Sequence, residues 1–208
     1  MIDEVARASG RSVSRETAST LHHYVDLLIE ENQRQNLIGR STIADISARH
    51  VVDSAQLLRF APPQGSWLDI GSGAGFPGLV IAILAGGDMC LVEPRRLRGD
   101  FLQRCVDDLG LGKVQVRCAK VEKLSGRYDV VTARAVASID RLFSLARPVT
   151  HLGTTWILPK GRSGAKELAE AQASWQGRFR VEPSVTAEDA VIVVAEGVMP
   201  KGRAKGVG

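Results

Sequence analysis

The chain has 208 residues, of which 44% are hydrophobic and 24% are charged. This is ordinary globular composition, and the length suits one full hydrophobic core with a small appendage rather than several domains. The 27 Lys and Arg residues outnumber the 23 Asp and Glu, so the formal net charge of +4 permits a polyanionic partner without requiring one.

The cysteines and the apolar runs indicate the cellular compartment in which the protein is expected. Cys90, Cys105 and Cys118 form no CxxC pair and no zinc ligand set, and their odd number leaves one unpaired in any disulfide scheme. The first residues lack the apolar segment of a signal peptide, and the longest apolar run, Leu79 to Ala85, is too short to cross a bilayer. We therefore expect a soluble, cytoplasmic protein that binds neither a membrane nor a metal.

The N-terminal part of the chain has helical periodicity. Apolar residues recur at helical spacing from Ser14 to Gln35, with Ser14 as the expected N-cap. A second helical stretch runs from about Asp45 to Phe60 and stops at Pro62 and the proline that follows it. Residues 1–63 are predicted to form a helical appendage.

Residues 64–208 have the pattern of an α/β sheet and are predicted to form one compact unit. Phe179 to Val185 and Ala190 to Ala195 are too close together for a helical crossover, which predicts a terminal antiparallel hairpin. Earlier apolar runs are separated by helical lengths, which predicts parallel strands with helices on both faces. A mostly parallel seven-stranded sheet of this kind is typical of Rossmann-like class I methyltransferases that use S-adenosylmethionine (AdoMet). The five earlier runs are Trp67–Ile70, Met89–Val92, Val114–Val116, Asp129–Thr132 and Thr155–Leu158.

The segment LDIGSGAGFPG, residues 68–78, predicts a strand that turns into a helix around a nucleotide-like ligand. Gly73, Gly75 and Gly78 match the dinucleotide pattern GxGxxG, which is a weak signal alone. Asp69 and Gly71 precede them, which gives DxGxGxG. Glycines at 71, 73 and 75 allow the backbone to approach AdoMet closely, and the Asp69 carboxylate is placed to orient the loop or to meet a donor.

Glu93 ends the next predicted strand, where an acidic side chain accepts hydrogen bonds from the ribose hydroxyls. Dinucleotides and AdoMet both contain that ribose, so Glu93 does not discriminate between them. Without a ligand, the glycine segment is a plain turn and Glu93 a solvated strand end.

The absence of two known motifs narrows the choice of the atom that accepts the methyl group. The fourth strand, in YDVVTARAVAS, is not followed by the [N/D]-P-P-[Y/F] loop of exocyclic amine methylation, and no cysteine is placed as a nucleophile. Acceptors that carry a free lone pair at neutral pH remain, among them N7 of guanine. Such an atom needs alignment and exclusion of water rather than a general base. A small-molecule nucleophile fits equally well.

Six motifs in order resemble one family, the 16S ribosomal RNA guanine-N7 methyltransferases, also called glucose-inhibited division protein B. They are NLIGR, RHVVDS, LDIGSGAGFPG, VEKL, TARAVAS and LPKG. The resemblance implies AdoMet as cofactor and N7 of one guanine in 16S ribosomal RNA as acceptor, within a small-subunit particle, with a monomer favoured. It also implies AdoMet contacts from Gly71, Phe76, Val121, Glu122 and Arg134, with Arg134 as the candidate for a catalytic role.

Other polar residues are candidates for RNA contact. Arg49, His50, Asp53 and Ser54 are predicted on one side of the second helix. They either fix the appendage, with an ion pair between Arg49 and Asp53, or line the site. Lys160 follows the fifth strand, where it is either solvated or in contact with a phosphate.

Two basic clusters are candidates for salt-dependent attraction to RNA phosphates, with solvated surface as the alternative. Arg95 and Arg96 lead the first cluster, which includes Arg98 and Arg104, and the second consists of Lys201, Arg203 and Lys205. Two residues depart from the family pattern, Glu31 in the first long helix and Pro159 in LPKG. The rival functions are a small-molecule methyltransferase with a closed apolar pocket and a nucleotide-binding protein without methyltransferase activity.

Overall fold

The structure is a computed structural model that describes residues 1–202. Two α-helices open the chain, α1 (Ile2–Ser9) and α2 (Arg15–Glu31). Ser14 caps α2 as predicted, because its hydroxyl accepts a hydrogen bond from the Thr17 N–H at 3.1 Å. The sequence did not predict α1, and α2 ends before Gln35.

The turn after α2 explains its early end. The side-chain oxygen of Asn32 accepts hydrogen bonds from the N–H groups of Leu37 and Ile38 at 2.8 and 2.9 Å. These bonds turn the chain into the NLIGR segment, where a short 3-10 turn spans Arg40–Thr42. A helix that continued through Asn32 would lose both bonds.

The second predicted helix is present but irregular. It is a π-helical turn (Ser47–Val52), followed by a short helix α3 (Asp53–Ala55) and a 3-10 stretch (Gln56–Phe60). It ends before the two prolines, as predicted. A π turn contains more residues than an α turn, so residues four apart need not share a face.

The seven-stranded sheet confirms the predicted fold class. The strand order is β3-β2-β1-β4-β5-β7-β6, with β1 to β5 parallel and β7 antiparallel to both of its neighbours. The strands are β1 (Trp67–Ile70), β2 (Met89–Val92), β3 (Val114–Arg117), β4 (Val130–Ala133), β5 (Thr155–Lys160), β6 (Trp175–Pro183) and β7 (Val191–Pro200). The crossover helices are α4 (Gly78–Ala85), α5 (Arg96–Asp108), α6 (Ile139–Ala146) and α7 (Gly164–Ala171), with 3-10 turns at Val121–Lys123 and Arg147–Val149.

The terminal hairpin is longer than predicted at its open end, where β6 begins at Trp175 and β7 ends at Pro200, and slightly shorter than predicted at the turn. β6 is the exposed edge strand of the sheet, and most of its residues are exposed. Its sequence therefore lacks the regular alternation of apolar and polar residues that predicts a strand. Its register with β7 shifts between Gln176 and Arg178. Lys201 is exposed at the end of the described chain, whereas Arg203 and Lys205 lie outside the described residues.

Apolar residues from the appendage and the sheet form one core on one face of the sheet. Val5 and Leu28 belong to the same buried cluster as Leu91 and Ile157. On the opposite face, α6 and α7 cover a cluster that contains Phe143 and Trp156. The division proposed at residue 63 therefore marks a change of sequence pattern within a shared core. No helix within residues 1–202 is both long enough and apolar enough to cross a membrane.

Candidate functional site

The strand order reverses between β1 and β4, and this places the loops that follow the two strands side by side. In open α/β sheets, ligands bind at such a point, beyond the carboxyl ends of the strands. The cofactor loop, residues 71–77, follows β1, and the acceptor loop, residues 134–138, follows β4. Ala135 in the acceptor loop has a φ of +55° and is the one residue other than glycine with positive φ among residues 1–202.

The cofactor loop uses most of its N–H groups internally. Those of Gly71 and Ser72 donate to the Val92 carbonyl at 2.7 and 3.1 Å, and that of Gly75 donates to the Ser72 carbonyl at 2.7 Å. The Gly73 N–H donates to Glu93 Oε2 at 3.0 Å. None of these bonds uses the carbonyl oxygens of Gly71 and Gly73. Most donors of the loop are therefore already used, apart from the N–H groups of Ala74 and Phe76, while the carbonyl oxygens of Gly71 and Gly73 are available to a ligand.

Two buried carboxylates stand beside this loop. Asp69 is fully buried, and its Oδ2 accepts a hydrogen bond from the Gly78 N–H at 3.1 Å, which holds the start of α4. Its Oδ1 has no hydrogen-bond partner within residues 1–202. Burial raises the pKa of Asp69 to about 7, although hydrogen bonds from Ser72 and Gly78 lower it. Asp69 thus orients the loop, one of the two roles expected for it.

Glu93 is 4% exposed, and its two oxygens accept the N–H groups of Gly73 and Arg95 at 3.0 and 2.9 Å. Each carboxylate oxygen has a second lone pair that can accept from a hydroxyl. A pyrophosphate would need free N–H donors and would be repelled by these carboxylates. The loop therefore fits a ligand with an ammonium, a sulfonium and a ribose, and it fits a dinucleotide poorly.

The three glycines expected to approach the cofactor have different neighbours. At Gly73, φ is +56° and a Cβ would lie 3.6 Å or more from its neighbours, so this position is open. A Cβ on Gly71, where φ is +70°, would lie 2.5 Å from Val136 of the acceptor loop. A Cβ on Gly75 would meet Leu79 and Tyr24. The missing side chain of Gly75 therefore makes room for the protein's own packing, and the approach of its backbone to the cofactor stays a prediction.

Arg134, the first residue of the acceptor loop, is held by several contacts and is 23% exposed. Its Nη1 donates to the Arg49 carbonyl oxygen at 3.3 Å and to His50 Nδ1 at 3.0 Å, and lies 3.5 Å from Asp53 Oδ2. Its guanidinium lies over the Phe76 ring, 5.1 Å from the centroid. These contacts fix the direction of the guanidinium plane.

Phe76 was expected to pack near the methionine end of AdoMet, yet its ring is only 3% exposed. It stacks on His50 with centroids 4.9 Å apart and meets Tyr24 edge to face at 5.5 Å. The ring is therefore a platform for the protein's own side chains, Arg134 among them. This leaves the backbone of Phe76 as the part that faces a ligand in the loop.

His50 is neutral, and its tautomer follows from its partners. Nδ1 accepts from Arg134, so Nε2 carries the proton and donates to Thr42 Oγ1 at 3.1 Å, while that hydroxyl donates to the Gly39 carbonyl at 2.7 Å. Burial lowers the pKa of His50 to about 4, with further lowering by the charges of Arg134 and Arg49. His50 therefore links Arg134 to the NLIGR segment.

The π turn separates the four residues that were expected on one side of the second helix. Arg49, His50 and Asp53 line a cleft, whereas Ser54 is 1% exposed and its hydroxyl donates to the His50 carbonyl at 2.6 Å. The expected ion pair between Arg49 and Asp53 is not formed, since Asp53 faces Arg134 and the exposed Arg49 has no ion pair within residues 1–202.

Lys160 is not the solvated rim residue expected from the sequence. Its side chain is 9% exposed, and Nζ donates to the Ala137 carbonyl at 2.7 Å and to Glu167 Oε2 at 2.9 Å. Although burial raises the pKa of Glu167, hydrogen bonds from Lys160 and Ser163 hold it below its usual value. The expected phosphate contact is therefore wrong for this structure, where Lys160 ties the acceptor loop to α7.

Val121 and Glu122 begin the 3-10 turn that follows β3, at the same edge of the sheet as Glu93. The Val121 side chain is 4% exposed and belongs to the core, whereas Glu122 is exposed. A ligand at this edge would meet the backbone of Val121 and the side chain or backbone of Glu122.

The basic cluster after β2 divides into free and engaged residues. The side chains of Arg95 and Arg96 are exposed, and the guanidinium of Arg96 is 3.8 Å from Asp100. Arg98 donates weakly to the Asn36 carbonyl at 3.4 Å. Arg104 forms a salt bridge with the buried Glu31, and its attraction to RNA stays a prediction.

Glu31, one of the two departures from the family pattern, forms hydrogen bonds and a salt bridge. Burial raises the pKa of this carboxyl, yet hydrogen bonds from Gln35 and Arg104 outweigh it and leave the pKa below its usual value. The salt bridge connects α2 with α5. Pro159, the other departure, lies within β5 opposite Ile192 of β7.

A cleft of about 970 Å³ opens beside the acceptor loop. Its walls come from residues 42–53, the acceptor loop, the end of β5 with the start of α7, and the loop between β6 and β7. The residues along it that are polar or charged are Thr42, Asp45, Arg49, His50, Asp53, Arg134, Lys160, Arg162, Glu167, Ser184, Thr186 and Asp189. The cleft is open to solvent, and its walls combine these polar and charged side chains with apolar surface.

The model of one protein family, rRNA small subunit methyltransferase G (GidB), matches residues 17–191. The chain belongs to this family. Its cofactor is S-adenosylmethionine, and the GidB chain is an AdoMet-dependent rRNA methyltransferase.

Similar proteins cover nearly the whole chain. A ribosomal RNA small subunit methyltransferase G of Rhizorhabdus wittichii is 47% identical and covers 98% of this chain and 96% of its own. One from Zymomonas mobilis is 43% identical, with 91% and 90% covered.

Solved structures share the fold at low identity. A mutant of MtNAS in complex with S-adenosylmethionine has a TM-score of 0.57 and 17% identity, over 86% of this chain and 75% of that one. A SAM-dependent methyltransferase from Aquifex aeolicus has a TM-score of 0.57 and 14% identity, over 73% of this chain and 92% of that one.

Sequence reasoning missed several residues that support the GidB site. Tyr24 is fully buried, and its hydroxyl donates to the Ala74 carbonyl in the cofactor loop at 2.8 Å. Thr42 accepts from His50, and Gln56 and Thr186 bind Asp53. Thr42 is the second residue after the NLIGR motif, and this position is a usable signal. Nothing local marks the other three, because their partners are at least 50 positions away or depend on the π turn.

Proposed function

We propose that the chain transfers the methyl group of AdoMet to N7 of one guanine in 16S ribosomal RNA. The observation that carries the proposal is that a loop with available carbonyl oxygens lies beside an open cleft whose walls carry charged and polar side chains. The first suits a cationic methyl donor, and the second suits a nucleotide that belongs to a large polyanion.

Backbone groups and two charged side chains would hold AdoMet. The carbonyl oxygens of Gly71 and Gly73 are available to its ammonium, and Arg134 to its carboxylate. The remaining lone pairs of Glu93 suit the ribose hydroxyls. Val121 and Glu122, at the next strand end, suit the adenine ring and its amine.

The reaction needs no general base, because N7 of guanine carries a free lone pair and no proton at neutral pH. AdoMet supplies an electrophilic methyl group when it is bound. The chain's residues hold the guanine in line and exclude water. His50 does not act as a base, since its Nδ1 accepts a hydrogen bond from Arg134 and its Nε2–H donates one to Thr42.

Contacts to the RNA backbone come from exposed arginines on the same edge of the sheet. Arg49 and Arg162 lie along the cleft, and Arg95 and Arg96 flank the cofactor loop on its other side. Such cations attract phosphates without reading sequence. The aromatic content is 5%, too low for a base-stacking platform, which favours a folded RNA as the substrate. We further propose that a monomer meets this RNA within a small-subunit particle in the cytoplasm.

The test is methyl transfer from radiolabelled AdoMet to small ribosomal subunits from a strain that lacks the endogenous enzyme. Borohydride and aniline then cleave the RNA at N7-methylguanine. Label at one guanine with cleavage there establishes reaction and acceptor atom together, and naked 16S rRNA in parallel tests the requirement for a particle. AdoMet binding without label in either RNA would overturn the proposal and favour a small-molecule acceptor.

A further inference from the structure

A cluster of four polar side chains joins the N-terminal segment to the loop between β6 and β7. We define the clasp as Asp53, Gln56, Ser184 and Thr186. Gln56 is 1% exposed, and its Oε1 accepts the Val185 N–H at 2.9 Å. The residues it connects are about 130 positions apart in sequence, and neither Gln56 nor Thr186 belongs to a motif that carried the resemblance.

The protons of the clasp can be assigned. Gln56 Nε2 donates to Asp53 Oδ1 at 2.8 Å and to Ser184 Oγ at 3.1 Å. Thr186 Oγ1 donates to Asp53 Oδ1 at 2.8 Å, so its single proton is used there. The 2.9 Å contact between the two hydroxyls is therefore a donation from Ser184 to Thr186.

The clasp ends at the arginine of the acceptor loop. Both Gln56 and Thr186 donate to Oδ1 of Asp53, which leaves Oδ2 to face Arg134 Nη1 at 3.5 Å. Arg134 in turn lies on Phe76 of the cofactor loop. Ser184 and Thr186 also line the cleft. One continuous series of contacts thus runs from the cleft wall to the cofactor loop.

We propose that Gln56 and Thr186 are positioning residues for methyl transfer, which orient Arg134 through Asp53 and hold the β6–β7 loop as the far wall of the acceptor cleft. This rests on the proposed function, in which Arg134 binds AdoMet and the cleft receives the guanine. The loop that meets the RNA and the arginine that meets the cofactor are coupled by the clasp. Loss of the clasp misaligns the cofactor through Arg134 and the acceptor through the β6–β7 loop.

The test compares Thr186→Val, which removes the hydroxyl at nearly constant volume, with Thr186→Ser, which restores it. Thr20→Val is the matched control, because the Thr20 hydroxyl donates to the Glu16 carbonyl on the exposed side of α2. Each variant is measured for AdoMet affinity by calorimetry, for kcat and KM with small ribosomal subunits, and for its thermal midpoint.

For Thr186→Val we expect AdoMet binding weakened about threefold and kcat lowered about tenfold, because a hydrogen bond to a charged group is lost and Arg134 is displaced. Thr186→Ser is expected to recover most of both, and Thr20→Val to match the unmodified protein. Unchanged affinity and kcat in Thr186→Val would overturn the proposal, as would a lowered thermal midpoint alone. If the unmodified protein methylates no RNA, the proposed function fails, and AdoMet affinity still tests the clasp.

Discussion

The two halves of the ligand crevice are formed by different kinds of chemical groups. The cofactor half, at the ends of β1 to β3, uses backbone groups and two carboxylates that are at most 4% exposed. The acceptor half, at the ends of β4, β5 and the β6–β7 loop, is an open cleft lined by side chains from four parts of the sequence. A small, invariant ligand can be held by a short contiguous segment, whereas a large RNA needs a surface assembled from distant segments.

The largest effect is expected from Gly73→Val in the cofactor half. A side chain here occupies the open position above the loop, and the positive φ adds about 1–2 kcal/mol of strain. We expect AdoMet binding to fall below detection in a calorimeter. Gly110→Val is the matched control, because Gly110 has a φ of +63° and open space around it but lies far along the chain after α5. Retained AdoMet binding in Gly73→Val would contradict the assignment of the loop.

The second effect is at the boundary between the halves. Arg134→Ala is expected to lower kcat/KM about a hundredfold, and Arg134→Lys about tenfold, because a lysine keeps the charge but not the planar contact with Phe76. The circular dichroism spectrum should remain that of the native protein. Arg180→Ala, on the exposed edge strand, is the control. A collapsed spectrum in Arg134→Ala would show that the arginine is required for folding instead.

A smaller effect is expected from cations that meet the RNA without touching the cofactor. Replacing Arg95 and Arg96 together by Gln should weaken RNA binding about three- to tenfold and reduce the slope of log affinity against log salt by about 1 to 2. AdoMet affinity should stay unchanged. The paired control replaces Lys113 and Arg127, exposed at the opposite edge of the sheet, by Gln. Equal losses in both pairs would show only a general effect of net charge.

The smallest effects are opposite pH dependences of stability in the two halves. His50, with a pKa of about 4 when folded, binds its proton more readily when unfolded, so its contribution to stability falls as pH is lowered from about 6.5 toward 4. Asp69, with a pKa of about 7, binds its proton more readily when folded, so its contribution falls as pH rises from about 4 to 7.

Urea unfolding of His50→Gln and Asp69→Asn at pH 5 and pH 7 tests these signs. Relative to the unmodified protein, His50→Gln should become less stable as pH rises and Asp69→Asn more stable, each by on the order of 1 kcal/mol. The same direction in both variants would contradict the assigned protonation states.

The sequence predicts the cofactor half better than the acceptor half, for a physical reason. Local patterns fix the strand at residues 67–70, the glycine turn and the position of Glu93, since their neighbours in space are near in sequence or in register. The sheet class follows from the spacing of apolar runs. The edge strand β6 gives only a weak signal because it is solvent-exposed on much of its surface.

The acceptor half depends on pairings that no local pattern contains. Lys160 appears as a free rim residue until the fold brings Glu167 and the Ala137 carbonyl against it. Arg104 appears as one of four similar arginines until α2 places Glu31 beside it. The π turn redirects Asp53 away from Arg49, whereas α-helical spacing predicted their pairing.

The hydrogen bond from the Tyr24 hydroxyl to the Ala74 carbonyl has a consequence for the newly made chain. Helix α2 leaves the ribosome long before the cofactor loop, and its buried residues Leu21, Tyr24 and Leu28 pack against parts of the chain synthesised later. During translation, the apolar face of α2 therefore lacks these partners until α4 and α5 have been made. The cofactor loop gains its support from Tyr24 only after the first half of the chain has been synthesised.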